Sequence, residues 1–415
     1  MPRNNNKENV GIIACGGPAP GINGIISAVT IEANNRGKEV VGITDGFKWI
    51  AEGDISKCLK LDIDITSRIH LWGGSIIGIS RESPLTTPER ASNTLSSLDK
   101  LGIRYLISIG GDGTMYLASE IEKKSDGRLR VAHVPKTIDN NLPLPDNNST
   151  FGFETARHYG TRIVNYLTED AKTTSRWFLV VTMGRKTGHL AHGIGKASGA
   201  TLTIIPEDFG RKKLSLGKIV KIIEGSVIKR KWMDKQYGIV IIAEGVVEIL
   251  EELDELGHLD KDEIGRLNLS QANIAEIIRK KVQKNLKDKG IDIRMIDKQI
   301  GYELRSAPPI PYDLKYTRDL GYSATKFLLE GGNRAILALK RGRMTPLRFD
   351  DLMDKGSGRT KIRYVNTNTE SYEVAQKYMI KLLKTDLEDE KKLKELARIA
   401  NMKPAEFKEY FSEIF

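Results

Sequence analysis

Along the chain, short apolar and β-branched runs alternate with segments of helical periodicity, and glycine-rich corners join them. Residues 10–15 (VGIIAC) are one such run, and residues 16–21 are its corner. A helix is predicted from there to about Arg36, with Gly37 as its closing glycine. Residues 40–44 form a second run. Residues 103–109 repeat the theme, with 110–114 (GGDGT) as the corner and a helix to about Lys124. Residues 131–134 read as a strand ending at Pro135. Residues 177–182 read as a strand followed by the corner 183–188 and a helix through Ala197, and residues 237–243 as a strand ending at Glu244 and Gly245.

Strands that alternate with helices imply parallel sheets joined by crossover helices. In such sheets ligands bind at the carboxyl ends of the strands. Sequence order alone therefore puts Gly16, Asp112, Asp139, Arg185 and Glu244 on site-facing loops. Residues 142–149, with Pro143 and Pro145, read as a crossing between domains. The charged stretch 247–292 reads as a helical surface insertion. The tail from residue 385 reads as helices, with Pro404 in the first turn of the last one.

A length of 415 residues suits two or three domains. Only two cysteines, Cys15 and Cys58, leave no disulfide framework and suit a reducing cytosol. The first ten residues are polar and lack the apolar core of a signal peptide, and runs such as 239–243 are far too short to span a bilayer. A cytoplasmic protein without membrane partners is expected. The net charge of +11 suggests anionic ligands. The basic runs at 211–213 and 229–231 are short, and only Trp232 adjoins them, so base stacking and nucleic-acid binding are not expected. A small phosphorylated ligand fits scattered arginines and lysines better.

The corner at 16–23 (GGPAPGIN) follows a strand and opens a helix. Its glycines, Gly16, Gly17 and Gly21, let backbone N–H groups approach phosphate oxygens. Tight packing is the bland alternative, and neither the P-loop Lys–Ser/Thr pair nor dinucleotide glycine spacing is present. In GGDGT, Asp112 between Gly111 and Gly113 is placed to hold Mg²⁺, or simply to cap the next helix. In PKTIDNN (135–141), Asp139 beside Lys136 and Thr137 is equipped to deprotonate an alcohol near phosphates, with Lys136 offsetting charge on the group in transfer. Its bland alternative is a polar turn satisfied by backbone N–H groups. Arg185 in MGRKTG and Arg305 in GYELR offer guanidinium groups to phosphate, although single arginines are more often surface residues.

Taken in order, GGPAPGIN, GGDGT, PKTIDN, MGRKTGHLA, IAEG and GYELR resemble the phosphofructokinase family over residues 10–341. The resemblance implies a glycolytic phosphotransferase that phosphorylates the 1-hydroxyl of fructose 6-phosphate. Asp139 would be the base and Asp112 the Mg²⁺ ligand. Gly16 and Arg81 would contact donor phosphates beside Gly17, Gly21, Gly111, Gly113 and Thr114, with Thr137 near the transferring group. Arg185 would bridge phosphate and sugar, Met183, Gly184 and Glu244 would contact the sugar, and Tyr302, Arg305 and Arg176 match 6-phosphate positions. Arg176 would reach a neighbouring subunit's site, which implies a homo-oligomer, dimer or tetramer.

Two departures stand out from the family pattern: Asn141 where a second acid is usual, and Tyr302 where many relatives carry histidine. They keep a catalytically silent, sugar-phosphate-binding regulatory member as an alternative. For the donor, Gly113 leaves room for a nucleotide α-phosphate and favours ATP, whereas Lys136 suits pyrophosphate. The expectation is ATP, with pyrophosphate as the alternative. The expected fold is α/β, with two Rossmann-like domains of mostly parallel sheets facing a shared active-site cleft and a helical C-terminal extension. The expected domains are a donor domain over 8–145 completed by about 306–342, a sugar-phosphate domain over 146–305 containing the 247–292 insertion, and an extension over 343–415.

Overall fold

The structure, a computed structural model, describes residues 8–252, 273–352, 354 and 360–415. Residues 253–272 of the 247–292 insertion lie outside these residues; within it the helix Ile274–Asp288 is described. The chain forms two compact units, one from Met1–Ala156 and Tyr302–Arg363 and the other from Arg157–Gly301 and Tyr364–Phe415.

The first unit is built on a seven-stranded sheet. Its strands in chain order are β1 (Asn9–Ala14), β2 (Val40–Ile43), β3 (Cys58–Leu61), β4 (Ile103–Gly110) and β5 (Arg130–Pro135), then β10 (Ala335–Lys340) and β11 (Arg343–Arg348), the last two following the second unit's β6 (Trp177–Thr182), β7 (Leu202–Ile204), β8 (Gly238–Ala243) and β9 (Met295–Ile300). The spatial order is β11-β10-β5-β4-β1-β2-β3, parallel except for the two edge strands β3 and β11. Every residue of β1 is buried, as expected of a central strand covered on both faces. The order reverses direction between β1 and β4, the switch point where α/β sheets open a crevice for ligands.

The second unit has a four-stranded parallel sheet ordered β7-β8-β6-β9. β6 and β8 are apolar and wholly buried. The C-terminal helices end in Pro404–Ser412, whose Phe407 and Phe411 enter the same core as Trp177, Ile242 and Ile278. Among the described residues no helix is long and apolar enough to cross a membrane.

Two boundaries differ from the sequence reading. The extension over 343–415 is largely helical only from Glu370 onward: residues 343–348 pair antiparallel with β10, and a short 3-10 turn at Phe349–Leu352 follows them. The segment from Tyr302 belongs with the first unit, because its helix Pro311–Leu329 is locked there by Asp313. That buried carboxylate accepts from the N–H groups of Gly152 and Thr155, both at 2.9 Å, and from Thr155 Oγ1 at 2.6 Å. Tyr302 and Arg305 thus leave the 146–305 domain to which the motif order had assigned them.

Candidate active site

In the first unit three corners stand side by side, because β5, β4 and β1 are neighbours in register. Ala14 is opposite Ile109, and Gly110 opposite Pro135. The β1 corner places Gly16 against Ser80, whose carbonyl accepts the Gly16 N–H at 2.8 Å. Arg81 follows Ser80 and is exposed. Gly21 ends the corner at φ 103° as the N-cap of the helix Ile22–Asn35. A side chain there would be strained and would also strike Thr317 Cγ2.

The β4 corner delivers Asp112 into the first turn of the helix Asp112–Lys124, with Gly111 as its N-cap. Thr114 is buried and packs against Gly110. At Gly113 an added Cβ would meet nothing within 4 Å. Among the described residues no three His, Cys, Asp or Glu side chains come together. One carboxylate with open space beside it fits Mg²⁺, which takes one or two carboxylates and fills its other positions with water and phosphate oxygens.

The β5 corner ties the other two together. The Lys136 N–H donates to the Gly110 carbonyl at 2.8 Å, while its ammonium donates to the Gly17 carbonyl. Lys136 is buried, and its Nζ stands 3.5 Å from where a Gly16 Cβ would be. Thr137 Oγ1 accepts the Asp139 N–H at 3.0 Å, which fixes the turn that carries the buried Asp139. Arg305, in the short helix Tyr302–Arg305, covers Gly17, with Nη1 3.4 Å from that residue's missing Cβ. Its guanidinium lies 5.4 Å from the ring centre of the largely exposed Tyr302. Lysine, arginine and glycine backbone thus converge on one corner whose chemistry suits an anion.

In the second unit Thr182 is opposite both Ala243 and Ile300, so the loops after β6, β8 and β9 are adjacent. Gly184 and Arg185 both have positive φ, 155° and 49°. The buried Glu244 carboxylate holds them there by accepting the N–H of Gly184 at 3.1 Å and of Arg185 at 2.7 Å. A left-handed arginine gripped by a buried carboxylate is the kind of local strain found at functional loops. Met183 is buried, and its side chain occupies the space a Gly301 Cβ would need. Arg176 is not brought to this loop. It precedes β6 at the opposite end of a six-residue strand, about 20 Å away by strand rise. Its Nε is buried without a hydrogen-bond partner among the described residues.

His133 and Asn140, both in the first unit, escaped the sequence reading. His133 lies under the β4 corner, its Nδ1 2.8 Å from Ser108 Oγ, and burial pushes its pKa down to about 3. The available signal was one polar residue inside the apolar run 131–134. Asn140, next to Asp139, has φ 54°, and its side-chain oxygen accepts the Thr150 N–H at 3.1 Å.

The phosphofructokinase family model matches residues 9–328. The chain is 47% identical to the pyrophosphate–fructose 6-phosphate 1-phosphotransferase of Thermotoga maritima, over 97% of this chain and 98% of that one. It is 41% identical to the enzyme of the same name from Naegleria fowleri, over 98% and 95%. Identity to ATP-dependent 6-phosphofructokinase 3 of Streptomyces coelicolor is 31%, over 83% and 92%. Among solved structures, the pyrophosphate-dependent phosphofructokinase of Nitrosospira multiformis has the same fold, with a TM-score of 0.69 at 17% identity over 90% of this chain and 91% of that one. Ordered corners, sheet topology and sequence agree: the chain belongs to the phosphofructokinase family, whose members are phosphotransferases with an alcohol acceptor.

Proposed function

We propose that this phosphofructokinase phosphorylates the 1-hydroxyl of fructose 6-phosphate with pyrophosphate as the donor. The observation that carries this reading is the buried Lys136 ammonium at the Gly16–Gly17 corner. Pyrophosphate has no nucleoside to contribute binding, so fixed cations must supply its affinity and offset the charge of its departing phosphate. Relatives at 47% and 41% identity over nearly the whole chain bear that name, which gives the same direction. ATP, expected from Gly113, remains the second reading. The empty space at Gly113 admits an α-phosphate without requiring one.

The chemistry follows from the corners. Asp139 accepts the proton as the sugar oxygen bonds to phosphorus, and the bridging P–O bond breaks to release orthophosphate. Lys136 and Arg305 hold donor or sugar phosphates. Mg²⁺ held by Asp112 would neutralise phosphate charge. In the second unit, Glu244 sets the backbone of the loop that presents Arg185 and Met183 to the sugar. Arg176 would complete the site of a neighbouring subunit, which makes the active form a homo-oligomer.

The test is direct. Protein, Mg²⁺, fructose 6-phosphate and pyrophosphate should yield fructose 1,6-bisphosphate and orthophosphate, and fructose 1,6-bisphosphate with orthophosphate should run backwards to the starting pair. No bisphosphate with either donor would overturn the assignment.

A further inference from the structure

Arg363 lies beyond the residues matched by the family model, at the end of the first unit. No motif marks it. Its guanidinium nevertheless closes on the loop that carries Asp139. Nε and Nη2 donate to the Asn140 carbonyl at 3.1 and 3.0 Å, and Nη2 also donates to the Asn140 side-chain oxygen. Nη1 donates to the Asn148 carbonyl at 2.9 Å. The backbone N–H of Arg363 donates to the Asn141 carbonyl at 2.8 Å.

One side chain therefore joins both ends of the 140–148 loop and grips the left-handed Asn140 through a two-pronged contact with its carbonyl. The peptide so held joins Asn140 to Asn141, one residue beyond Asp139. On the other side, Asp139 is fixed through Thr137 Oγ1, and the Thr137 carbonyl accepts from Thr150 Oγ1 at 2.8 Å. The turn that carries the Asp139 carboxylate is thus anchored on both sides, and Arg363 is an anchor from beyond the family match. A planar guanidinium can make this set of bonds; a lysine ammonium cannot bridge the same carbonyls in a fixed plane.

We propose that Arg363 is a positioning residue for phosphoryl transfer, holding the 137–141 loop so that the Asp139 carboxylate meets the sugar hydroxyl. The inference rests on Asp139 being the base. A displacement of about 1 Å in reacting groups is enough to reduce turnover roughly 10²-fold. Steady-state kinetics of Arg363→Ala, Arg363→Lys and Asp139→Asn, with and without added guanidinium ion, test it. The expected result is a kcat about 10²-fold lower in Arg363→Ala, KM values within about threefold of wild type, partial recovery of kcat by guanidinium, and little recovery in Arg363→Lys. If the alanine variant does not fold, Arg363→Lys alone carries the kcat-against-KM comparison. Wild-type kcat in either Arg363 variant would overturn the proposal, as would equal losses in kcat and sugar affinity without guanidinium rescue. Asp139→Asn at wild-type kcat would instead remove the base assignment; an inactive Asp139→Asn beside a fully active Arg363→Ala would remove only the clamp.

Discussion

Asp139 and Glu244 are both buried carboxylates, yet they stand in different surroundings. Asp139 sits on a turn fixed by backbone and hydroxyl contacts, which suits a base. Asp139→Asn should lower kcat by about 10²–10⁴-fold while fructose 6-phosphate binding, measured by calorimetry, stays near wild type. Glu244 spends its carboxylate on the N–H groups of Gly184 and Arg185. Hydrogen bonds to a charged group are worth about 1.5–3 kcal/mol, so Glu244→Ala should raise the KM for the sugar about tenfold or more as Arg185 loses its conformation. An unchanged KM would show that the loop holds itself. At this scale the sequence was legible where polar residues crowd at a strand end, as with Lys136 and Asp139, which the structure places beside the glycine corners of β1 and β4. It was silent on Arg363, whose role comes from a contact more than two hundred residues away along the chain. It also gave no sign that Glu244 acts on the backbone of its own unit.

Secondary-structure elements set where these residues stand. The corners stand together because β1, β4 and β5 end together, and glycine permits the turns from β1 and β4 into their helices. At Gly21, left-handed φ costs an alanine about 1–2 kcal/mol and overpacking against Thr317 adds about 1–3 kcal/mol. Gly21→Ala should therefore lower Tm by several degrees, at about 2–4 °C per kcal/mol for a protein body of this size. Beneath the same sheet edge, His133 is buried neutral, its pKa pushed from 6.5 down to about 3. Because the unfolded chain takes up this proton first, stability is complete above pH 6.5 and declines as pH falls towards 3. The slope is about 1.4 kcal/mol per pH unit. The buried carboxylates of Glu207, Asp208 and Asp313 are raised by burial and act in the opposite sense. The stability difference between wild type and His133→Gln isolates the histidine and should shrink as pH falls below 6.5; a constant difference would contradict a neutral buried His133. Strands buried on both faces, β1, β4, β6 and β8, were readable because apolar side chains fill them. β3 and β9 were not, since each mixes exposed and buried positions, and β11 carries Pro346 on an edge where its missing N–H costs nothing.

For the whole molecule, two questions go beyond a single fold: how many chains make a site, and which donor enters it. Arg176 lies at the far end of β6 from Arg185, so a role in sugar-phosphate binding requires another subunit. Sedimentation should show an oligomer, and Arg176→Ala should raise the KM for fructose 6-phosphate; a fully active monomer would contradict this. The donor question separates the reading of one glycine from the weight of a buried lysine. On the proposed reading the open space at Gly113 would admit a nucleotide, whereas the Lys136 ammonium beside Gly17 would supply the charge that a donor without a nucleoside needs. The most direct measurement is kcat/KM for pyrophosphate and for ATP, each with saturating fructose 6-phosphate and Mg²⁺. The prediction is efficient turnover with pyrophosphate and at least about a hundredfold lower kcat/KM with ATP, equivalent to about 2.7 kcal/mol of transition-state stabilisation. Turnover with ATP and none with pyrophosphate would contradict it.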